Sequence, residues 1–349
     1  MKVSFKTVLS VVTLGMVVLI LFFSRHQLQH AWQLLSQVNV WMLVLVAGFT
    51  IMSYLFSGEM MFSYLRQKRI IKEVSPYILM RVSMELNFVN HILPSGGVSG
   101  MSYANWRLGK FGVSGSQAMM AQAVRYAAGF AATIALLFVS LVVVTIDGDI
   151  NRWIILMSAF LVIAMTTAVA LFIYIVKSPK RIHQLSAWLQ KTTNRAIRFF
   201  TRGRRRKLLD AGSVAEFFEG MHRDYVELNR DKSVLWQPFV WGLFFMASDI
   251  LIFFLTFLAL GSVVNPASIL IAYSLASLAG FAIVTPGGAG AYEAIMVMVL
   301  VMAGLHEGKA IAGIVLARVI ILLITIGVGY IFYQLTLNKY GKRTSDIQG

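Results

Sequence analysis

The chain has 349 residues, of which 58% are hydrophobic and 13% are charged, and its mean hydropathy is +0.73. A soluble protein carries about a quarter charged residues, so this composition excludes a soluble globular protein and indicates a polytopic, all-α membrane protein. The net charge of +16 is typical of cytoplasmic loops that face anionic lipid, and we assign it to the membrane surface instead of nucleic acid. The absence of cysteine excludes disulfides and thiolate metal sites, and we expect no cofactor.

The N-terminal part of the chain predicts two membrane spans. An apolar run at about 5–23 resembles a signal peptide but offers no small-residue cleavage site, so we interpret it as a retained first span. A short polar loop at 24–40 leads to a second span at about 40–65, which contains Glu59. The basic loop that follows, at 66–72, should be cytoplasmic.

The sequence pattern of residues 76–112 predicts a re-entrant hairpin. Ser75 and Pro76 are a helix N-cap and a proline at the first helical position. The hairpin carries Arg81 and Glu85, and its break contains Pro94, Gly96 and Gly97. Its return stretch is too short and polar to be a full span and ends basic, so the hairpin should enter and leave on the cytoplasmic side.

Two further spans are predicted at about 116–146, which contains Arg125, and at about 152–176. The segment 177–232 then carries 14 Lys and Arg residues against 6 Asp and Glu, and it contains two amphipathic helical patterns. It should be cytoplasmic, and it is either an anionic-lipid contact surface or a solvated basic loop.

The C-terminal part repeats this organisation. A span at about 234–260 contains Asp249, and Pro266 opens a second hairpin that ends near residue 304. The break of this hairpin contains Pro286, Gly287, Gly288, Gly290 and Glu293. The last span, at about 309–337, contains Arg318 and leads to a basic, cytoplasmic tail.

Four uncommon features recur in one order at nearly one spacing: an acid, a helix-starting proline, a proline–glycine break and a membrane arginine. They are Glu59, Pro76, Pro94 and Arg125 in repeat one, about 40–146, and Asp249, Pro266, Pro286 and Arg318 in repeat two, about 234–337. The basic loops give the two halves opposite directions. The pattern therefore predicts an inverted repeat within a single membrane domain, 1–349, with cytoplasmic termini and a substrate site near the midplane.

The chemistry of this site follows from its charges. An ionisable side chain costs about 2.5–3.5 kcal/mol at the bilayer centre, so these residues should pair or line a cavity. Arginine together with the N–H groups of a broken helix suits a phosphate, which predicts a lipid headgroup site. The predicted site consists of Arg125, Arg318, Glu293, Pro286, Gly287, Gly288, Gly290, Pro94, Gly96, Gly97, Arg81, Glu85, Glu59 and Asp249.

The roles of the carboxylates stay open at the level of the sequence. Glu59, Asp249 and Glu293 could counter a cationic part of a headgroup, relay protons, or neutralise the arginines. Arg81 and Glu85 lie one helical turn apart and either pair with each other or contact the ligand.

Enzymatic signatures are few. The chain has no P-loop, HExxH or G-x-S-x-G motif, and His91 is the single histidine predicted at membrane depth. We therefore expect no enzyme. Two alternatives to a transporter stay open: a lipid-binding accessory protein, and a membrane-embedded headgroup transferase that uses His91 or the carboxylates.

The two break motifs resemble the lysylphosphatidylglycerol synthase transmembrane family, whose members are also called flippase-like domain proteins. The motifs are 93–97 with Arg107, and Pro286–Glu293 with Arg318, and the similarity covers about 5–337. The resemblance implies a multi-pass inner or plasma membrane protein that translocates an aminoacylated, anionic or polyprenyl-linked lipid. It assigns the hairpin and supporting-span roles of the family to Pro286, Gly287, Gly288, Gly290, Glu293, Arg125 and Arg318.

Two departures from the family pattern matter. No acid follows Gly96 and Gly97, so the resemblance does not support a carboxylate role in the first hairpin. The soluble aminoacyl-transferase domain that some relatives carry does not follow the last span, so we expect that this chain does not synthesise lysylphosphatidylglycerol by itself. A lipid-modifying enzyme is a candidate partner.

Overall fold

The computed structural model describes residues 14–19, 22, 25–35, 38–71, 74–93, 98–147, 152–182, 184, 187, 191, 211–282 and 290–340. Within these ranges every regular element is helical, which confirms the predicted all-α class. The helices are α1 (Arg25–Leu35), α2 (Val40–Gln67), α3 (Pro76–Ile92), α4 (Val98–Gly109), α5 (Gly115–Asp147), α6 (Arg152–Val176), α7 (Ala211–Arg230), α8 (Trp236–Ala259), α9 (Pro266–Ala282), α10 (Ala291–Met302) and α11 (Glu307–Tyr340).

Five of these helices, α2, α5, α6, α8 and α11, are long and apolar enough to cross a membrane. They lie at the predicted span positions, with ends that differ by only a few residues. The chain is therefore a multi-pass membrane protein. Most of the predicted first span, 5–23, lies outside the described residues, and its described part, 14–19, is helical.

The polar stretch 24–40 is not a loop, as we expected, because it contains helix α1. Its sequence places apolar residues on one face among polar ones, and Leu34 on that face packs against Val38, Leu316 and Val319. A short amphipathic helix that packs on α11 has the same average polarity as a loop. Composition alone therefore could not separate the two.

Two helical hairpins, α3–α4 and α9–α10, lie at the predicted positions. Each consists of a helix of 17 residues followed by one of 12 residues. At 1.5 Å per residue these helices are about 25 Å and 18 Å long, shorter than the roughly 30 Å hydrocarbon core. Both hairpin tips, 94–97 and 283–289, lie outside the described residues.

Polar caps and prolines begin the long hairpin helices. The hydroxyl of Ser75 accepts a hydrogen bond from the Ile78 N–H at 3.4 Å, and Pro76 is the first residue of α3. Before α9, Asn265 Oδ1 accepts from the Ala267 N–H at 2.9 Å. These starts are the ones that the sequence predicts.

The two halves pack through matching pairs of helices. Helix α2 packs along α8, α3 packs on α11, and α9 packs on α5. Within the halves, α4 contacts α5 in the same way that α10 contacts α11. Exchange of the two repeats would preserve this pairing, which supports a structural repeat. The opposite direction of the halves across the membrane stays a prediction.

Helix α7 covers part of the basic segment 177–232, and its apolar face packs on protein. Met221, Tyr225 and Leu228 belong to the hydrophobic cluster formed with α2 to α5, and Met221 is 4% exposed. His222 Nδ1 lies 2.8 Å from the Val176 carbonyl oxygen. The apolar face of the described part of α7 is thus packed on protein, whereas contact of the basic residues of the segment with anionic lipid stays a prediction, and 192–210 lie outside the described residues.

Two glycines of α11 differ in how closely they approach the other half of the molecule, and this difference can be tested. A Cβ at Gly329 would lie 2.6 Å from Phe88 Cβ and 3.1 Å from the Met84 carbonyl oxygen, whereas a Cβ at Gly327 would meet nothing within 4 Å. Gly329→Ala should therefore lower the thermal unfolding midpoint in detergent, because overpacking costs about 1–3 kcal/mol. Gly327→Ala, the matched control, should leave it unchanged or raise it slightly, because alanine favours the helix. Equal midpoints for the two variants would contradict this packing.

The inverted topology can be tested with single cysteines, because the chain contains none. Lys110 and Glu307 are both exposed, and they follow the first and the second hairpin. If the hairpins enter from opposite sides, a membrane-impermeant thiol reagent should label Glu307→Cys in intact cells and Lys110→Cys only after permeabilisation. Labelling of both from one side would show that the repeats are not inverted.

Candidate functional site

A cavity of about 320 Å³ lies between the two halves. Helices α2, α3 and α5 of repeat one and α8 to α11 of repeat two contribute to its wall, with Met165 of α6. Its lining includes the predicted residues Arg125, Asp249 and Arg318, and also His91. The fold therefore brings together the two membrane arginines and one acid of the predicted repeat.

Arg125 has only neutral hydrogen-bond partners within the described residues. Its Nη2 donates to Ser57 Oγ at 2.7 Å, and its Nη1 donates to Gln122 Oε1 at 3.4 Å. None of the ion pairs in the described ranges includes Arg125. The cavity wall thus carries one guanidinium that forms no ion pair with a carboxylate of the described ranges.

Arg318 is balanced by Glu293. Its Nε donates to Glu293 Oε1 at 2.8 Å, and both side chains are largely buried. The other oxygen of Glu293 accepts from the Gly290 N–H at 2.6 Å, which closes the first turn of α10. Gly290 has φ +90°, a conformation that glycine adopts without strain. Of the roles left open for Glu293, neutralisation of an arginine is the one that this geometry shows.

Asp249 lies at the contact of both halves and is 8% exposed. The hydroxyl of Ser53, on α2, donates to one of its oxygens, and the hydroxyl of Tyr273, on α9, donates to the other. No arginine, lysine or histidine of the described ranges forms an ion pair with it. Asp249 therefore joins three helices through neutral donors.

His91 lines the same cavity from α3. Its Nδ1 lies 2.8 Å from the Asn87 carbonyl oxygen, so Nδ1 carries a proton that it donates to that oxygen. The ring of Tyr54 lies 6.2 Å from the imidazole ring. The hydroxyl of Tyr54 is in turn hydrogen-bonded to Thr325 of α11.

Five described residues of the predicted site do not line the cavity: Gly290 and Glu293, whose contacts are given above, and Glu59, Arg81 and Glu85. Glu59 pairs with Arg66 at the end of α2. Arg81 and Glu85 belong to a separate buried cluster. Glu85 accepts from Arg107 Nε at 3.1 Å and Tyr103 at 2.9 Å, bonds Thr336, and pairs with Arg81 at 3.7 Å. The expected Arg81–Glu85 pair exists, but Arg107 of α4 is the closer arginine, so this cluster ties the first hairpin to α11.

The remaining predicted residues, Pro94, Gly96, Gly97, Pro286, Gly287 and Gly288, lie outside the described residues. The sequence analysis missed the neutral polar residues of the site, Ser53, Ser57, Tyr273 and Tyr292. A signal was present for two of them, because Ser53 and Ser57 are one helical turn apart and share a face of α2. Within the described ranges, no three His, Asp or Glu side chains come together as a metal site requires.

Comparison with known proteins agrees with the motif resemblance. Among curated proteins, none matches the chain significantly. The family model described as "Lysylphosphatidylglycerol synthase TM region" matches residues 6–329, which include all of the helices described above except the end of α11. This match supports a lipid-related role in the membrane. The chain therefore belongs to the family of the lysylphosphatidylglycerol synthase transmembrane region.

Proposed function

We propose that the chain is a flippase-like transporter that moves a phosphate-bearing lipid between membrane leaflets without changing it chemically. The observation that carries the proposal is one cavity, walled by helices of both repeats, that holds Arg125 of one repeat and Arg318 of the other. Membrane transporters built from repeats bind substrate at such an interface and move one repeat against the other.

Arg125 is the residue of the cavity that is best suited to bind the phosphate. A guanidinium donates paired hydrogen bonds that match phosphate geometry, and the described partners of Arg125 are only a hydroxyl and an amide. A phosphate can displace such neutral partners and form an ion pair with the guanidinium. Arg318 adds a second guanidinium to the wall, with Glu293 holding it in place.

The shape and polarity of the cavity suit a lipid headgroup. Its volume of about 320 Å³ lies at the lower end of the range of about 300–1,000 Å³ that is typical of small-molecule sites. Besides these polar residues, Met60, Phe130, Met246 and Ile252 contribute apolar surface to the wall. A phosphate and its ester linkage would occupy the cavity while the hydrocarbon chains stay in the bilayer. Aminoacylated and polyprenyl-linked lipids share this chemistry.

The basic loops support a cell membrane location with both termini in the cytoplasm. The exposed apolar residues of α6, such as Phe160 and Ile163, fit a helix that faces lipid. An anionic cytoplasmic leaflet would attract the basic segment 177–232 and concentrate anionic lipids near the transporter.

Removal of the Arg125 charge should impair transport. We expect Arg125→Ala to slow the translocation of fluorescent phosphatidylglycerol in liposomes by about 10- to 100-fold, because hydrogen bonds to charged groups contribute about 1.5–3 kcal/mol. Arg66→Ala is the matched control, since it removes an arginine that pairs with Glu59 away from the cavity lining. It should translocate the lipid at the wild-type rate. Wild-type rates in both Arg125→Ala and Arg318→Ala would refute the proposed function.

The same preparation separates the transporter from its alternatives. An accessory protein would bind phosphatidylglycerol without changing its distribution between leaflets. A transferase would convert the lipid in detergent, and His91→Ala would abolish the product. The transporter proposal predicts movement of label between leaflets and an unchanged lipid in mass spectra.

A further inference from the structure

Asp249 differs from the other carboxylates of the membrane-embedded helices and hairpins. Glu59 pairs with Arg66, Glu85 with Arg107, and Glu293 with Arg318. Asp249 is as enclosed as these residues, yet its described partners are two neutral hydroxyls. A buried carboxylate that lacks a cation is costly when ionised, so it is the carboxylate most ready to take up a proton.

The charges that face the cavity can be counted from each helix. Among the described residues, Arg125 of α5, Asp249 of α8 and Arg318 of α11 line the cavity. Glu293 of α10 is not part of the lining but pairs with Arg318, and His91 of α3 donates its Nδ1 proton to a carbonyl oxygen. The tyrosines of the wall, from α2, α5, α9 and α10, are neutral at physiological pH. With Asp249 ionised and His91 neutral, two positive and two negative charges cancel in the empty cavity.

Binding of a lipid phosphate would upset this balance. A phosphodiester brings one negative charge, so the occupied cavity would carry a net negative charge in an apolar environment. Repulsion between that charge and the Asp249 carboxylate favours the neutral acid. Uptake of one proton restores neutrality, and no other cavity carboxylate has neutral partners only in the described ranges.

We propose that Asp249 binds a proton whenever a lipid phosphate occupies Arg125, so that the lipid and one proton cross the membrane together. This inference rests on the proposed lipid transport and names its energy source, a proton gradient. The sign follows from linkage: because the phosphate favours the protonated acid, protonation equally favours the phosphate, and the lipid binds more tightly as pH falls.

The position of Asp249 connects the proton to the movement of the repeats. Ser53 belongs to repeat one, whereas Asp249 and Tyr273 belong to repeat two. A proton that enters from water on the open side would bind a carboxylate oxygen, and one hydroxyl would turn to accept a hydrogen bond from the acid. A charge-assisted bond between the repeats then becomes a weaker, neutral one. The proton leaves to water when the cavity opens on the opposite side.

Proton uptake on lipid binding can be measured directly. A short-chain phosphatidylglycerol is titrated into the detergent-purified protein by calorimetry, above neutral pH and in buffers of different ionisation enthalpy. Linkage predicts uptake of about one proton per lipid by the wild type and about none by Asp249→Asn. Asparagine keeps the size of the side chain and can accept a hydrogen bond from either hydroxyl. Absence of uptake by the wild type overturns the inference, whether or not the variant folds.

Glu59→Gln is the matched control for this measurement. Glu59 is also a membrane-embedded carboxylate, but it pairs with Arg66 and does not line the cavity. Glu59→Gln should take up protons as the wild type does. Loss of uptake in this variant would overturn the assignment to Asp249. In the wild type, the affinity for phosphatidylglycerol should rise about tenfold for each unit by which the pH falls, over the pH range in which Asp249 is protonated with lipid bound and ionised without it. Asp249→Asn should show no such dependence.

Transport then decides between the two proposals. Proteoliposomes are made from phosphatidylcholine with fluorescent phosphatidylglycerol, and a gradient of about one pH unit is set across the membrane. If lipid and proton move together, phosphatidylglycerol should become enriched by up to about tenfold in the leaflet that faces the alkaline side. In Asp249→Asn, any exchange of lipid between the leaflets should be independent of the pH gradient. Wild-type translocation that ignores the gradient overturns proton coupling and leaves the proposed function intact. Absence of any wild-type translocation overturns the proposed function itself.

Discussion

A charged side chain inside an apolar helix bundle requires a compensating partner, and this requirement organises the whole structure. Three membrane-embedded carboxylates satisfy it with an arginine each. Each pair has a place in the fold. The Glu59 pair lies near the end of α2, the cluster around Glu85 connects the first hairpin to α11, and Glu293 also closes the first turn of α10. The residues left over, Arg125 and Asp249, face one cavity together with the Arg318–Glu293 pair. Their position is the basis for the phosphate-bearing substrate that we propose.

Close helix contacts make this arrangement possible. Gly329 lets α11 approach the backbone of α3, and Gly242 brings α8 to within contact of the Ala128 carbonyl oxygen on α5. Both contacts join helices of different repeats, so the two repeats are tightly packed at these points. The hairpin helices, which are shorter than the hydrocarbon core, end near this cavity, so residues such as His91 and Tyr292 contribute side chains to its wall.

Much of the fold could be predicted because the signals were local. Apolar length predicts the spans, Ser75 and Asn265 with their prolines predict the starts of the long hairpin helices, and glycine with proline predicts the breaks. The prediction was wrong for α1, whose average polarity matches that of a loop. For α7 it could not say what the apolar face contacts, since lipid, solvent and protein all tolerate an amphipathic helix. Protein is the partner, through Met221 and its neighbours.

For the site, the sequence by itself determined which ionisable side chains are energetically unfavourable in a membrane. It also determined that two arginines recur at matching places in a repeat. Only the tertiary structure decided which partner each acid has. Glu59 and Asp249 hold the same place in the repeat pattern, yet Glu59 has an arginine about two helical turns away on the same helix, whereas Asp249 contacts hydroxyls from two other helices. The spacing of residues along a helix determines which face a side chain lies on. The groups that contact this face come from residues that are far apart in the chain, and the spacing does not predict them. That physical difference separates a structural ion pair from the acid that we propose as the proton carrier.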